Sequence, residues 1–333
     1  MANKYEKEIE QEQLLRDALI LERIGAIYTF IRDKARGQSK SVTDKANGDQ
    51  SYFTKGTNQT DFEKEFSEAV RPEYVKRDAF SKKVYTEEYN TAYFQAKFTV
   101  ENQGIAKGFN FDLPDYTDKQ FKEARDYALS KLMNKSKMTT GRNLNIAQLE
   151  DIIVSGVQRG LSLNNINKEM DIALGFRDEA GKWVDDITKR KRQTYETQRI
   201  LRSEIGRMRS DAETDLWVNS QDTVKSELQN IEVRDNRTRR QSVSMDLQIA
   251  NKKGLFLFPN GQRARMRKSG VAKWDISDRQ SLITLDPDYK PSQRIARNPQ
   301  TGKNEILPFG NFTDWAKENN LTHNIYGQWL GIK

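Results

Sequence analysis

From Ile200 to Trp217 the chain reads ILRSEIGRMRSDAETDLW, and from Asp235 to Leu247 it reads DNRTRRQSVSMDL. In the first stretch Leu201, Ile205, Met208, Ala212 and Leu216 recur at helical spacing. That spacing predicts a long helix over 187–219 with these five side chains on its buried stripe. Between the two stretches the texture changes. SELQNIEVRD reads as a strand, RTRRQSVSMDLQIAN as a short helix, GLFLFPNG as a strand ending in a Pro-Asn-Gly turn, and SLITL as another strand. A helix feeding separate short strands, rather than a βαβ alternation, predicts an α+β fold.

Working back toward the N-terminus, the chain is helical. A first helix is expected over 4–34, where Ile20, Ile24, Ile27 and Ile31 repeat at helical spacing and Leu14, Leu15 and Ala18 extend the face. An isolated helix needs a surface on which to bury such a stripe, so residues 1–35 are expected to dock on a partner. Residues 36–60 read as a polar loop. Residues 61–186 read as a helical domain. Its expected helices are 61–70, stopped before Pro72, then 73–103, 117–133 opened by a Thr-Asp-Lys-Gln capping box, 144–159 and 163–174. The second of these carries Tyr74, Phe80, Tyr85, Tyr89, Tyr93, Phe94 and Phe98, a series read as core. GFRDEAGKWVDD reads as a hairpin-shaped excursion with Gly181 at its turn. Residues 187–333 form the expected α+β module with a C-terminal tail.

Composition removes several chemistries. The 333 residues contain no cysteine and one histidine, His323. Disulfides, thiolate nucleophiles and multi-histidine metal sites are therefore out, and His-dependent triads have only His323 to draw on. The polar opening MANKYEKEIEQEQ is not read as a signal peptide, and no apolar run approaches the ~20 residues of a membrane span. A net charge of +8 favours a polyanionic partner, most simply nucleic acid. No cofactor and no metal are expected.

The cluster after the long helix packs Arg234, Arg237, Arg239 and Arg240 around Asp235 and Asp246. One reading is a structural clamp: Asp235 caps a helix start, and the planar fork of Arg237 meets a carboxylate, Glu204 or Asp246. A second is a divalent-metal site of Glu204, Asp235 and Asp246, as in a nuclease; the interleaved Arg202, Arg237, Arg239 and Arg240 oppose it by repelling a cation. A third is phosphate binding by Arg239 and Arg240. The clamp is the favoured reading, with Arg202, Glu204, Asp235, Arg237, Thr238 and Asp246 as its residues.

These same residues carry a resemblance. The order of elements and motifs resembles the minor head protein, or head-morphogenesis, family of tailed bacteriophages. In that family a helix with an Arg-Thr-Glu signature precedes a strand, then an Asp-x-Arg-Thr motif, a His and a Leu-Asp-Gly. Here Arg202, Ser203 and Glu204 match the first signature, Asp235, Arg237 and Thr238 the second, and Met245 and Asp246 the Leu-Asp. Ser242 stands where the family has His, and Leu247 where it has Gly. FLFPNG and NPQTGKNEILPFGNFTDWAKEN extend the likeness through the C-terminal half; the N-terminal half is similar only in its helical texture. The resemblance implies a non-enzymatic virion component in few copies, a homo-oligomer among its arrangements, inside the phage head near the portal and in the host cytoplasm during assembly. It implies the portal protein as partner, with capsid or scaffold proteins beside it, and contact with double-stranded DNA during packaging or ejection. The chain closes soon after the module, so no toxin domain is expected. The alternatives are a metal-dependent nuclease or toxin-class transferase, and a cellular non-specific nucleic-acid-binding protein.

Two basic runs remain. KRKR, Lys189 to Arg192, opens the long helix against its dipole and reads as a solvated face or a phosphate contact. GQRARMRKSGVAK lies in a stretch without acids from Lys252 to Lys273. Arg263, Arg265 and Arg267 alternate, so one strand face would present all three. With Lys268, and with Arg239 and Arg240, they are the expected DNA contacts, sequence-independent because no base-reading motif accompanies them.

Overall fold

Long apolar stripes in the sequence become long helices. The computed structural model describes residues 2–106, 118–130, 135–223, 225–234, 238, 240–269, 271, 280–285, 293–299, 301, 303–319, 321–323 and 329–331. It is α+β: helices α1 (Ala2–Ala46), α2 (Asn58–Ala106), α3 (Asp118–Ser130), α4 (Lys135–Gln158), α5 (Leu163–Leu174) and α6 (Arg192–Ser220), then small antiparallel sheets. The chain divides into two compact units, Met1–Val84 with Leu132–Leu201, and Tyr85–Lys131 with Arg202–Lys333.

In the first unit α1 packs on α4, α5 and the 3-10 turn Ile187–Lys189. Ile24, Tyr28 and Ile31 are fully buried, and the Tyr28 hydroxyl donates to the Gln193 carbonyl. The isoleucine stripe is therefore core of its own unit. Ile24, Ile27 and Ile31 are buried and Ile20 is half-buried, so the expected partner surface on them is not available. Among the described side chains of α1, the large apolar ones exposed are Leu14, Leu15, Leu19 and Phe30.

Helix α1 also runs beyond its expected end. Ala35, Ser39, Val42 and Ala46 continue the buried stripe, so the interval 36–60 is helix as far as residue 46. Packing outweighs the roughly 1 kcal/mol that Gly37 costs in a helix. The helix stops where Asn47 and Gly48 take φ of 45° and 80°, the left-handed conformation that ends helices. A 3-10 turn, Tyr52–Thr54, then buries Phe53. Pro72 likewise fails to end a helix; it lies inside α2. Phe62, Phe66, Val70 and Tyr74 are buried on both sides of it. Four such side chains at about 1.5–3 kcal/mol each exceed the ~3 kcal/mol cost of an interior proline.

The aromatic series divides by face. Tyr74, Tyr85, Tyr89 and Tyr93 are buried, Phe80 is half-buried, and Phe94 and Phe98 are exposed. Helix α4 starts earlier than expected and buries Leu149, Ile153 and Val157. Helix α5 has the expected bounds: Ser162 caps its start by accepting from the Asn165 N–H, and Gly175 at φ 90° ends it. The excursion after it is a hairpin, with Arg177 bridged to Trp183 and Gly181 at φ 83°. Thr117 and residues 131–133 lie outside the described residues.

In the second unit Leu201's successors on α6, namely Ile205, Met208, Ala212 and Leu216, are buried as the spacing requires. Strand β1 (Glu227–Glu232) pairs antiparallel with β4 (Gln280–Leu285). The hairpin of β2 (Phe256–Leu257) and β3 (Arg263–Ala264) turns through Pro259-Asn260-Gly261, with Gly261 at φ 82°. One apolar cluster joins Trp217, Leu228, Met245, Phe256, Phe258, Met266 and Leu282. A second joins Ala296 of β5 (Gln293–Arg297) to Phe312, Trp315 and Ala316 of α8 (Phe312–Glu318). Strand β6 (Asn304–Pro308) pairs with β5, and β7 (Leu321–His323) with β8 (Trp329–Gly331). The expected helix over 237–251 shrinks to α7 (Arg240–Val243), followed by turns.

Candidate functional site

The motif that ends Met245-Asp246-Leu247 is built around one buried carboxylate. The Asp246 side chain is 1% exposed. Arg294 from β5 donates to it through both terminal nitrogens, at 2.9 and 2.6 Å. The backbone N–H of Glu232, at the end of β1, donates to Oδ1 at 2.8 Å, and that of Phe312, at the start of α8, donates to Oδ2 at 2.7 Å. All four bonds are charge-assisted, and the last places the carboxylate at the positive end of α8. Arg294 also donates to the carbonyls of Gly310 and Glu232. Nearby, Arg234 donates to the Pro308 carbonyl at 3.1 Å. Burial lowers the pKa of Arg234, and the Arg294 charge lowers it further. Asp246 and Arg294 thus tie β1, β5 and α8 together.

The pairing expected of Arg237 lies outside the described residues, and Asp246 takes Arg294 as its partner. Thr238 is buried and its hydroxyl donates to the Val233 carbonyl. Glu204 is buried and meets Arg207, one turn along α6, at 2.5 Å. Arg202 is exposed. Asp235, Arg237 and Arg239 lie outside the described residues, and Arg240 opens α7. Ser242, where the resembled family has His, is fully buried. Leu247, where that family has Gly, holds φ 63°. The sequence alone does not mark Arg294 or Arg207 for these roles. Arg294 stands 48 residues from its carboxylate, and no local pattern marks it.

The basic run after the Pro-Asn-Gly turn meets acids from α6. Arg265 pairs with Asp215 at 2.6 Å and lies 3.8 Å from Asp211; Lys268 pairs with Asp211 at 2.6 Å. Asp215 also accepts from the Tyr89 hydroxyl at 2.8 Å, and Arg209 meets Glu88 at 2.7 Å. Burial raises the Asp211 pKa, against the pull of Lys268. Loss of solvent pushes the Glu213 carboxyl up to about 8, opposed by Arg209, Arg267 and a backbone hydrogen bond from Leu282. Arg267 is buried, donates to the Gln280 carbonyl at 3.2 Å and holds φ 59°. A Cβ on Gly206 would stand 2.3 Å from its Nη1, so that glycine makes room for the guanidinium. The single strand face expected for Arg263, Arg265 and Arg267 does not form, because β3 ends at Ala264. Arg263 remains exposed.

KRKR resolves residue by residue. Lys189 pairs with Asp186 and Arg192 with Glu179, while Arg190 turns onto the Phe176 ring at 4.1 Å. Among the described residues no group of three His, Asp or Glu side chains is placed to hold a metal ion, and no helix is long and apolar enough to cross a membrane. Compared with protein families, curated proteins and solved structures, the chain has no match.

Proposed function

We infer that the protein is a non-enzymatic minor head component of a tailed bacteriophage, acting at the portal vertex during assembly and genome packaging or ejection. The reading rests first on the resemblance of its ordered motifs. One observation carries it further. Asp246, in the Leu-Asp position, has both oxygens engaged by Arg294 and two backbone N–H groups, and Leu247 beside it holds the left-handed backbone that favours glycine. A substitution of Gly by Leu within an otherwise similar turn accounts for that strained residue. A carboxylate so engaged serves architecture rather than proton transfer or metal binding, which favours the virion reading over a nuclease.

In this reading the partners are the portal protein, with capsid or scaffold proteins beside it, and double-stranded DNA held without sequence preference. The portal-facing surface excludes the isoleucine stripe of α1, which is core. Residence is the head interior near the portal, after assembly in the host cytoplasm. Co-expression with the portal protein of the same genome tests the partner: the two are expected to co-purify through size exclusion. Separate elution at micromolar concentration refutes the portal assignment.

A further inference from the structure

The first unit carries a cluster of arginines that its hydrogen bonding leaves incomplete. Trp183, 48% exposed, has the Arg177 guanidinium 4.0 Å from its ring centre and those of Arg32 and Arg36 at 6.0 Å. Phe176, buried beneath, has Arg32 at 4.5 Å and Arg190 at 4.1 Å. Four cations thus gather on two rings. Their acids are few. Buried Asp171 accepts from Arg36 at 2.5 Å and Arg177 at 3.3 Å. Among the described residues Arg32 meets its exposed neighbour Asp33, an ion pair weakened by solvent. Arg190 donates to the Val184 carbonyl and feels Asp185 at longer range. Burial lowers the Arg190 pKa and the charge of Arg32 lowers it further; the two guanidiniums repel across Phe176. Among the described residues two buried donor atoms, Arg36 Nε and Arg190 Nη1, have no acceptor, and the buried Asp171 Oδ1 has no donor. A buried N–H without an acceptor loses its hydration with nothing in exchange, so the site is energetically unfinished as it stands.

We propose that Arg32, Arg36, Arg177 and Arg190, arrayed around Trp183, form a binding site for the backbone phosphates of a nucleic acid. The proposal rests on the reading of the protein as a DNA-contacting head component and moves that contact away from the run 263–268. There, Arg265 and Lys268 already face Asp215 and Asp211, and Arg267 is buried. Here, guanidiniums present forked donors suited to phosphate. Arg32 and Arg36 stand one turn apart on α1, about 6 Å along its axis, so they meet a row of anions better than a single one. Contacts to phosphate fix position and carry no sequence preference.

The test is fluorescence anisotropy of two unrelated labelled duplexes with the full chain across a chloride series. Each neutralised phosphate contributes about −0.9 to the slope of log affinity against log salt. The double variant Arg32→Gln, Arg190→Gln is expected to weaken both duplexes alike and flatten the slope by up to about 2. Arg32→Lys, Arg190→Lys keeps the charges and is expected to keep most of the slope; it guards against a fold defect, as does an unchanged melting curve. Arg265→Gln, Lys268→Gln is expected to lower the melting temperature and leave the slope alone. Duplex binding whose slope is indifferent to Arg32 and Arg190 overturns this site. Binding of inorganic phosphate at these arginines with no duplex binding overturns the polynucleotide assignment. Neither result touches the portal assignment, which co-purification reads separately.

Discussion

Removing Arg294 should unfold the module more readily than removing any surface arginine. The Arg294→Met variant leaves the Asp246 carboxylate buried, with two backbone N–H donors and, for counter-charge, the longer-range pull of Arg234. It also strips the Gly310 and Glu232 carbonyls of a donor. Breaking one side of a buried ion pair costs about 3–5 kcal/mol. For a unit of this size, where about 1 kcal/mol shifts the transition by 2–4 °C, that is a fall of roughly 6–20 °C. Asp246→Leu removes the acceptor and leaves the Arg294 guanidinium buried without its carboxylate, and belongs in the same range. The double variant Asp246→Leu, Arg294→Met should cost well under the sum of the two singles, because each single loss strands the other charge. Urea denaturation of all four proteins, followed by tryptophan fluorescence, gives the cycle. Additive losses, or single losses under about 1 kcal/mol, would refute the clamp.

Other expectations follow from neighbouring contacts. Glu213 holds its proton in the folded state up to pH about 8, whereas the unfolded carboxyl releases it near 4.5; the stability it contributes is full below about 4.5 and is lost as pH rises toward 8. Glu213→Gln should therefore flatten the dependence of the urea midpoint on pH across that window, and an unchanged profile would contradict the assignment. Gly206→Ala should destabilise by about 1–3 kcal/mol, since the new methyl must displace the buried Arg267 guanidinium; an unchanged urea midpoint would mean that the guanidinium moves freely. Deleting residues 2–34 removes Ile24, Tyr28 and Ile31 from the core and should unfold the first unit by circular dichroism. Leu14→Gln, Leu15→Gln and Leu19→Gln, at exposed positions, should each stay within about 0.5 kcal/mol of the parent.

What the sequence discloses here is local. The stripe of α6, the bounds of α5 with its closing glycine, the turns at Gly181 and Pro259-Asn260-Gly261, and strands β1 and β4 all follow from spacing and turn chemistry. Packing overrides the local signal elsewhere. Gly37 and Pro72 look like helix breakers, yet Ser39, Val42, Val70 and Tyr74 are buried around them. The isoleucines of α1 looked like a surface awaiting a partner because α4 and α5, which cover them, lie more than a hundred residues downstream. Ion pairs were the least legible. A stretch free of acids from Lys252 to Lys273 suggested a bare cationic strand, but Asp211 and Asp215 reach it from α6. Asp246 stands in a motif the sequence marks; Arg294 does not, because nothing in a sequence marks which distant arginine meets a given carboxylate.

The most direct test of the virion reading is quantitative mass spectrometry of particles produced from the genome that encodes the chain, comparing DNA-filled heads with empty procapsids. The account predicts the protein in both at a few copies per particle, scaling with the portal rather than with the major capsid protein. Its absence from both, with the portal readily detected, would contradict the account.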